Sequence, residues 1–219
     1  MNVGDYYGNP WLGLLIKTND KISLVPLDCP EKLCNKIQEI LKTEIVKTSI
    51  AQTNLLGIYT VMNSNGIVVP NLTEKKEIER LRENELNVYV SKDMHNALGN
   101  NMVINQNGGL INEEIENNEK KRIEDVLGIE LVKRKIAEYQ TVGSCCISNN
   151  KGFLAHYKTK PEEMEEIASI LKVRGSKGTV NLGTGFVSIG MIANDNGYLA
   201  GEKTSAYELG RIEEALGFL

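Results

Sequence analysis

Cysteine and histidine are the residues of this chain best suited to covalent or metal chemistry, and there are four of the first and two of the second. Cys145 and Cys146 stand a short way before His156, a separation that leaves room for a thiol–imidazole pair of the kind that activates a nucleophile. Spacing alone does not exclude that pairing; small cysteines buried on a strand are the preferred reading. Cys29 and Cys34 have no second cysteine pair and no nearby histidine, whereas a structural zinc site takes four soft ligands. Cys34 falls beside Leu33 and Ile37 on a helical stripe, which marks it as core. Two glycine-rich segments, Gly175-Ser176-Lys177-Gly178 and Gly183-Thr184-Gly185, have the composition of a phosphate cradle, yet no Gly-Lys-Ser/Thr opens a helix there. They read as an irregular junction. The sequence therefore predicts no catalytic residue, no metal and no cofactor.

The elements that position these residues repeat. Gly13, Gly57, Gly99, Gly143 and Ser188 are 44, 42, 44 and 45 residues apart, and nine residues beyond each stand Ile22, Gly66, Gly108, Gly152 and Gly197. A period near 44 over the whole length means a repeat architecture. The 32 residues from Ser188 to Leu219 and the 12 before Gly13 together make one more unit, so a closed ring is expected. The expected units are 13–56, 57–98, 99–142, 143–187, and 188–219 completed by 1–12, all in one domain.

Each unit reads as strand, turn, strand, helix, strand. In the second, Gly57 to Met62 is predicted as a strand, Asn63-Ser64-Asn65-Gly66 as a turn that exploits tolerance of positive φ, and Ile67 to Val69 as the returning strand. Related turns occur at 105–108, 149–152 and 194–197. The first repeat has Ile22 in place of glycine, so its turn is expected to differ. Apolar stripes at helical spacing follow: Leu33, Ile37, Ile40 and Leu41; Ile78 and Leu81; Ile123, Val126 and Leu127; Met164, Ile167, Ile170 and Leu171; Leu209, Ile212 and Leu216. Pro30 and Pro161 suit a first helical turn, and Thr159…Glu162 and Ser205…Glu208 have capping-box spacing. Closing strands are predicted at Ile45 to Ile50, Val88 to Val90, Ile129 to Ile136 and Thr179-Val180, with Asn2 to Tyr7 supplying the fifth. Sheets face the axis and helices lie outside.

With 41% apolar and 5% aromatic residues, the interior must be built from Ile, Leu and Val. A net charge of −4 weighs against a partner that is chiefly phosphate backbone, and the basic runs Lys120-Lys121-Arg122 and Lys133-Arg134-Lys135 read as solvated faces. The unspaced cysteines and the lack of a charged-then-apolar leader lead to the expectation of a reduced, cytoplasmic protein. The six apolar residues from Trp11 to Ile16 fall short of the ~20 that span a bilayer, and no membrane partner is expected.

Motifs sit at the unit junctions: Ser49-Ile50-Ala51 before Gly57; Ala97-Leu98-Gly99-Asn100; Ile136-Ala137-Glu138 leading to Val142-Gly143-Ser144; Gly178-Thr179-Val180-Asn181 with Gly183; and Thr204 to Leu216. In this order, over essentially the whole chain, they resemble the translation initiation factor six family, ribosome anti-association factors of archaea and eukaryotes. The resemblance implies the pentein fold, a five-bladed α/β ring, in agreement with the closure count. It implies binding to the large ribosomal subunit where the small one would dock, chiefly through ribosomal protein L14 with minor ribosomal RNA contact, and a part in large-subunit biogenesis. The ending at Leu219 lacks the long tail of eukaryotic members and so looks archaeal. A monomer is expected.

Asn100 matches the family's interface asparagine and heads the candidate binding residues. Leu98, Gly99, Asn54, Leu55, Thr141 and Asn181 are placed around it, because equivalent loops of a closed ring gather at one end. The alternative is that these residues only cap strands. Eukaryotic members carry arginines where Ile58 and Val90 stand here, so any electrostatic contact there is absent or relocated. The same ring hosts guanidine-modifying enzymes whose nucleophilic cysteine comes late in the chain; here the last cysteine is Cys146 and the fifth repeat has none. Such an enzyme, or an adaptor with another protein partner, is the alternative.

Overall fold

The structure, a computed structural model, describes residues 2–219. Strand β1 (Val3–Gly4) precedes a first unit made of a one-turn helix α1 (Leu12–Leu15), β2 (Lys17–Thr18), β3 (Ile22–Pro26), α2 (Glu31–Leu41) and β4 (Glu44–Thr48). The second unit has α3 (Leu56–Tyr59), β5 (Val61–Met62), β6 (Ile67–Pro70), α4 (Lys75–Glu83) and β7 (Val88–Ser91). The third has α5 (Leu98–Asn101), β8 (Met102–Ile104), β9 (Gly109–Ile111), α6 (Asn117–Leu127) and β10 (Leu131–Lys133). The fourth has α7 (Val142–Cys145), β11 (Cys146–Ser148), β12 (Phe153–His156), α8 (Pro161–Leu171) and β13 (Gly175–Gly178), and the fifth α9 (Val187–Gly190), β14 (Met191–Ala193), β15 (Tyr198–Gly201) and α10 (Ala206–Ala215).

Five three-stranded sheets result. In each, the middle strand pairs antiparallel with the strand before it and parallel with the strand that closes the unit. The fifth sheet takes that last strand from the other end of the chain, with Val3 opposite Ala200 and Gly4 opposite Gly201. The fold is the five-unit α/β ring, the pentein.

No unit has a core of its own. Leu81 of α4 packs with Leu24 of β3, Ile123 of α6 with Val68 of β6, Ile167 of α8 with Leu110 of β9, Ile212 of α10 with Leu154 of β12, and Ile37 of α2 with Leu199 of β15. Each amphipathic helix thus buries its stripe in the wedge between its own sheet and that of the preceding unit. The axial channel is lined by the one-turn helices and the first hairpin strands, which leaves the long helices on the outside.

Three local expectations are corrected. Glycines 57, 99 and 143 start no strand; with Gly13 and Ser188 they lie in the one-turn helices. The reason is contact around the axis: a Cβ on Gly13 would land on the Ser188 carbonyl, on Gly57 the Gly13 carbonyl, on Gly99 the Gly57 carbonyl and on Gly143 the Gly99 carbonyl. The fifth member closes the circle through its hydroxyl, since Ser188 Oγ donates to the Gly143 carbonyl. The fourth closing strand is Gly175–Gly178, ahead of Thr179-Val180, and Gly175 is small because a Cβ there would strike the Phe153 ring. At α8 only half of a capping box forms, one residue beyond the predicted pair: Glu163 accepts from the Lys160 N–H at 2.7 Å.

The second column is corrected in its physics. No glycine of the hairpin turns has positive φ. Each turn is held by an asparagine, at 19, 63, 105, 149 and 194, whose Oδ1 accepts the N–H groups two and three residues on. The first turn, expected to differ, has this same geometry. The asparagine Nδ2 reaches sideways: Asn19 to the Asn63 carbonyl, Asn105 to Asn149, Asn149 to Asn194 and Asn194 to Asn19, at 2.9 to 3.1 Å. Asn63, Asn105, Asn149 and Asn194 also donate to the last carbonyls of the next unit's helix, at Leu127, Leu171, Leu216 and Leu41. Glycine follows because that helix end presses on it: a Cβ on Gly66, Gly108, Gly152 or Gly197 meets the backbone of Val126, Ile170, Ala215 or Ile40. Helix α4 is shorter, nine residues against eleven in α2, α6 and α8, and Ile22 fills the space beside its Leu81.

Replacing Asn149 with alanine strands two backbone carbonyls and two N–H groups at a buried position. Each such loss costs about 1–3 kcal/mol, so Asn149→Ala is expected to destabilise the protein by at least about 3 kcal/mol. Asn19→Ala, which frees no helix carbonyl, is expected to cost less; urea unfolding of the two variants checks the order.

Candidate functional site

The parallel strands all end at one side of the ring, where two sets of loops meet: those entering the long helices and those joining one unit to the next. Four junctions turn back through short bridges, Tyr6 to Asn9, Ile50 to Thr53, Ile136 to Tyr139 and Val180 to Thr184. At their tips Tyr7 and Gly8, Ala51 and Gln52, Ala137 and Glu138, and Asn181 and Leu182 all have positive φ. For non-glycine residues this conformation costs about 1–2 kcal/mol each. A glutamate at the third position of the following helix, buried at 77 and 208 and half-buried at 163, holds the tips. Glu77 accepts from Ala51 N and Gln52 N at 2.9 and 3.0 Å, Glu163 from Ala137 N at 3.0 Å, and Glu208 from Leu182 N and Gly183 N at 3.2 and 2.9 Å. Burial pushes the Glu208 carboxyl up, but the Ser205 N–H, the Thr179 hydroxyl and the Gly183 N–H outweigh it and leave it below the ordinary carboxylate range. Helix α2 has Leu33 at this position, and Asp5 caps the Gly8 N–H instead.

The third junction is built differently. Glu119 accepts from Lys92 N and Tyr89 Oη, both at 2.9 Å, and the segment beyond is pinned by His95, whose Nδ1 lies 2.6 Å from Asp93 Oδ1 and Nε2 3.3 Å from Glu114 Oε2. The Asp93 hydrogen bond is the main reason the His95 imidazole titrates above its ordinary value. This junction leads directly into Leu98, Gly99 and Asn100.

The predicted binding residues separate on this frame. Leu98 is fully buried beside Ile111 and Ile123, and Gly99 is closed in by the Gly57 carbonyl. Asn181 is buried as well, its Nδ2 donating to the Pro10 carbonyl at 2.9 Å. These three are packed into the frame and leave little side-chain surface open to a partner. Leu55 and Asn54 are exposed, Asn54 Nδ2 donating to Asp28 Oδ1 at 3.1 Å, and Thr141 is half-buried at the start of α7. Asn100 is half-buried at the axial channel, and its amide makes no hydrogen bond within the described residues. Sequence reasoning missed the exposed apolar residues of the same side: Tyr7, Leu27, Leu72, Met94, Tyr157 and Leu182, with Met94 83% and Leu182 73% exposed. Their signal was a large apolar residue inside a turn.

The chemical candidates are built into the interior. Cys145 and Cys146 are buried free thiols, and burial pushes the Cys145 thiol up to about 12. His156 packs among Tyr139, Tyr157 and Phe186, accepts from Lys158 N through Nδ1, and is kept neutral by burial. Cys34 Sγ contacts the Cys29 carbonyl, and no group of three metal-ligating side chains occurs among the described residues. No helix among them is long and apolar enough to cross a membrane.

A sequence model of the eIF-6 family matches residues 1–215. The chain belongs to the eIF-6 family. It is 38% identical over 221 residues to Translation initiation factor 6 of Methanocaldococcus jannaschii, covering 98% of this chain and 96% of that one. Translation initiation factor 6 of Saccharolobus islandicus is 38% identical over 214 residues and that of Pyrobaculum aerophilum 32% over 211, each covering 96% of both chains. A dimethylarginine dimethylaminohydrolase structure superposes with a TM-score of 0.49 at 14% identity, covering 74% of this chain and 67% of that one.

For this eIF-6 chain the His95 clamp sets a pH dependence. A raised native imidazole value means that its stabilisation is full below the ordinary value of ~6.5 and is lost as pH rises through the native value. The difference in unfolding midpoint between the native protein and His95→Gln is therefore expected to be larger at about pH 5.5 than at about pH 8. A constant difference would show that the imidazolium contributes nothing.

Proposed function

We propose that this translation initiation factor binds the large ribosomal subunit through the junction side of its ring and sterically blocks the small subunit. The observation that carries the reading is the gathering of Tyr7, Leu27, Leu55, Leu72, Met94, Tyr157 and Leu182 on one side, around an Asn100 amide that has no hydrogen-bond partner among the described residues. Scattered apolar anchors with a free amide suit a protein surface, and an interface of standard size, about 1,600 Å², needs few of them. The partner is chiefly ribosomal protein L14, with minor contact to ribosomal RNA, and the factor acts as a cytoplasmic monomer with a part in subunit biogenesis. A net charge of −4 supports a protein partner over one made mostly of phosphate. Blocking by occupancy needs no chemistry from the chain. Against a guanidine enzyme stand a Cys145 thiol that burial keeps protonated and a fifth unit without cysteine.

Cosedimentation with purified large subunits in a sucrose gradient tests the reading. Binding that prevents joining of small subunits is expected, and Asn100→Ala and Leu182→Asp are each expected to weaken it at least tenfold with little change in thermal stability. Failure to bind, or undiminished binding by both variants, would overturn the proposal.

A further inference from the structure

Lys17 occupies an anomalous place. It is the one charged side chain among the described residues that line the axial channel, and the four positions related to it by the repeat are Val61, Val103, Ile147 and Ile192. Val61, Val103 and Ile192 are buried in the cores between units and Ile147 packs against one, so the repeat has an aliphatic side chain at four of these positions and an ammonium at the fifth. No hydrogen bond or ion pair within the described residues engages it. The surface that Lys17 retains faces the channel, and burial pulls its amine down to about 8. An unpaired charge held away from bulk water is costly, and the cost is removed by losing the proton or gaining a counterion.

The channel walls leave the second route open. Its free space is about 70 Å³, against ~10–15 Å³ for one water, which is room for several waters or one small ion. The hydroxyls of Thr18, Ser148 and Ser188 also line it, but each already donates to a backbone carbonyl. The spare donors are the Lys17 ammonium and the Asn100 amide. At the turn-side mouth the Asp20 and Asp195 carboxylates are engaged elsewhere, Asp20 by Asp195 N at 2.9 Å and Asn150 Nδ2 at 3.4 Å and Asp195 by Asn150 N and Nδ2, each at 2.7 Å, and neither pairs with Lys17.

We propose that the axial channel is a binding site for one small, weakly hydrated monovalent anion, held by Lys17 with the Asn100 amide as second donor. One positive charge takes one negative charge, since no second cationic side chain among the described residues lines the channel to balance a divalent anion. Weak hydration is required because the ion sheds water to enter a channel that replaces few of its hydrogen bonds. The site shares Asn100 with the proposed ribosome contact, but Lys17 and ion binding test it without the ribosome.

Bromide is the probe. Thermal unfolding is followed as sodium bromide replaces sodium gluconate at constant ionic strength, for the native chain and for Lys17→Met. The native chain is expected to show a saturable rise in midpoint, as binding to the folded state alone requires. Lys17→Met, an apolar replacement of similar length, is expected to fold and to show no such rise. Anomalous diffraction from bromide-soaked crystals is expected to place one ion on the axis beside Lys17. A rise that persists in Lys17→Met, no saturable rise in the native chain, or an empty channel in the soaked crystals would overturn the proposal.

Discussion

Everything in this ring depends on how closely five backbones approach one axis. The one-turn helices form the innermost circle, and each lays its glycine against the carbonyl of the unit before it. A side chain there would force the circle open and pull every helix from the wedge in which it buries its stripe. Ser188 is the one member with a side chain, and its hydroxyl bonds the carbonyl it would otherwise crowd. At the other end the asparagine circle does in hydrogen bonds what the glycine circle does in sterics. Each asparagine shapes its own hairpin and, in most units, ties that hairpin to both the next turn and the next helix.

Because the cores lie between units, the five sheets are not five small domains in a row. The seam between β1 and β15 is one more copy of a contact that occurs inside the other four sheets. Closing the ring fixes the junction loops in turn. Left-handed residues such as Gln52 and Leu182 persist because the buried carboxylates of Glu77 and Glu208 take up their N–H groups. A rigid rim is therefore available to present exposed apolar side chains without their collapsing inward. The third junction, clamped by His95 between Asp93 and Glu114, is the part of that rim most responsive to protons.

The period, the ring and the helix stripes were legible because they depend on spacing alone. The reasons for individual residues were less so. Glycines at 66, 108, 152 and 197 suggested backbone freedom, but their φ values are ordinary and the helix end of the next unit explains them. Only the assembled ring reveals that neighbour. Two further columns were present in the sequence and unread: asparagines at 19, 63, 105, 149 and 194, and glutamates at 77, 119, 163 and 208. Both are polar residues in polar segments, so nothing in their local composition shows that all but the half-buried Glu163 are buried. Leu98 and Asn181 followed the same logic in reverse, standing in loop motifs yet pointing into the core.

The central claim is that the two axial circles make the five units one cooperative body. Native-state hydrogen exchange across a denaturant series tests it most directly, by following the amides of β3, β6, β9, β12 and β15. If the circles act as described, all five strands exchange through one global opening with the same free energy. Successive opening of units from the β1–β15 seam, each with its own free energy, would contradict the account.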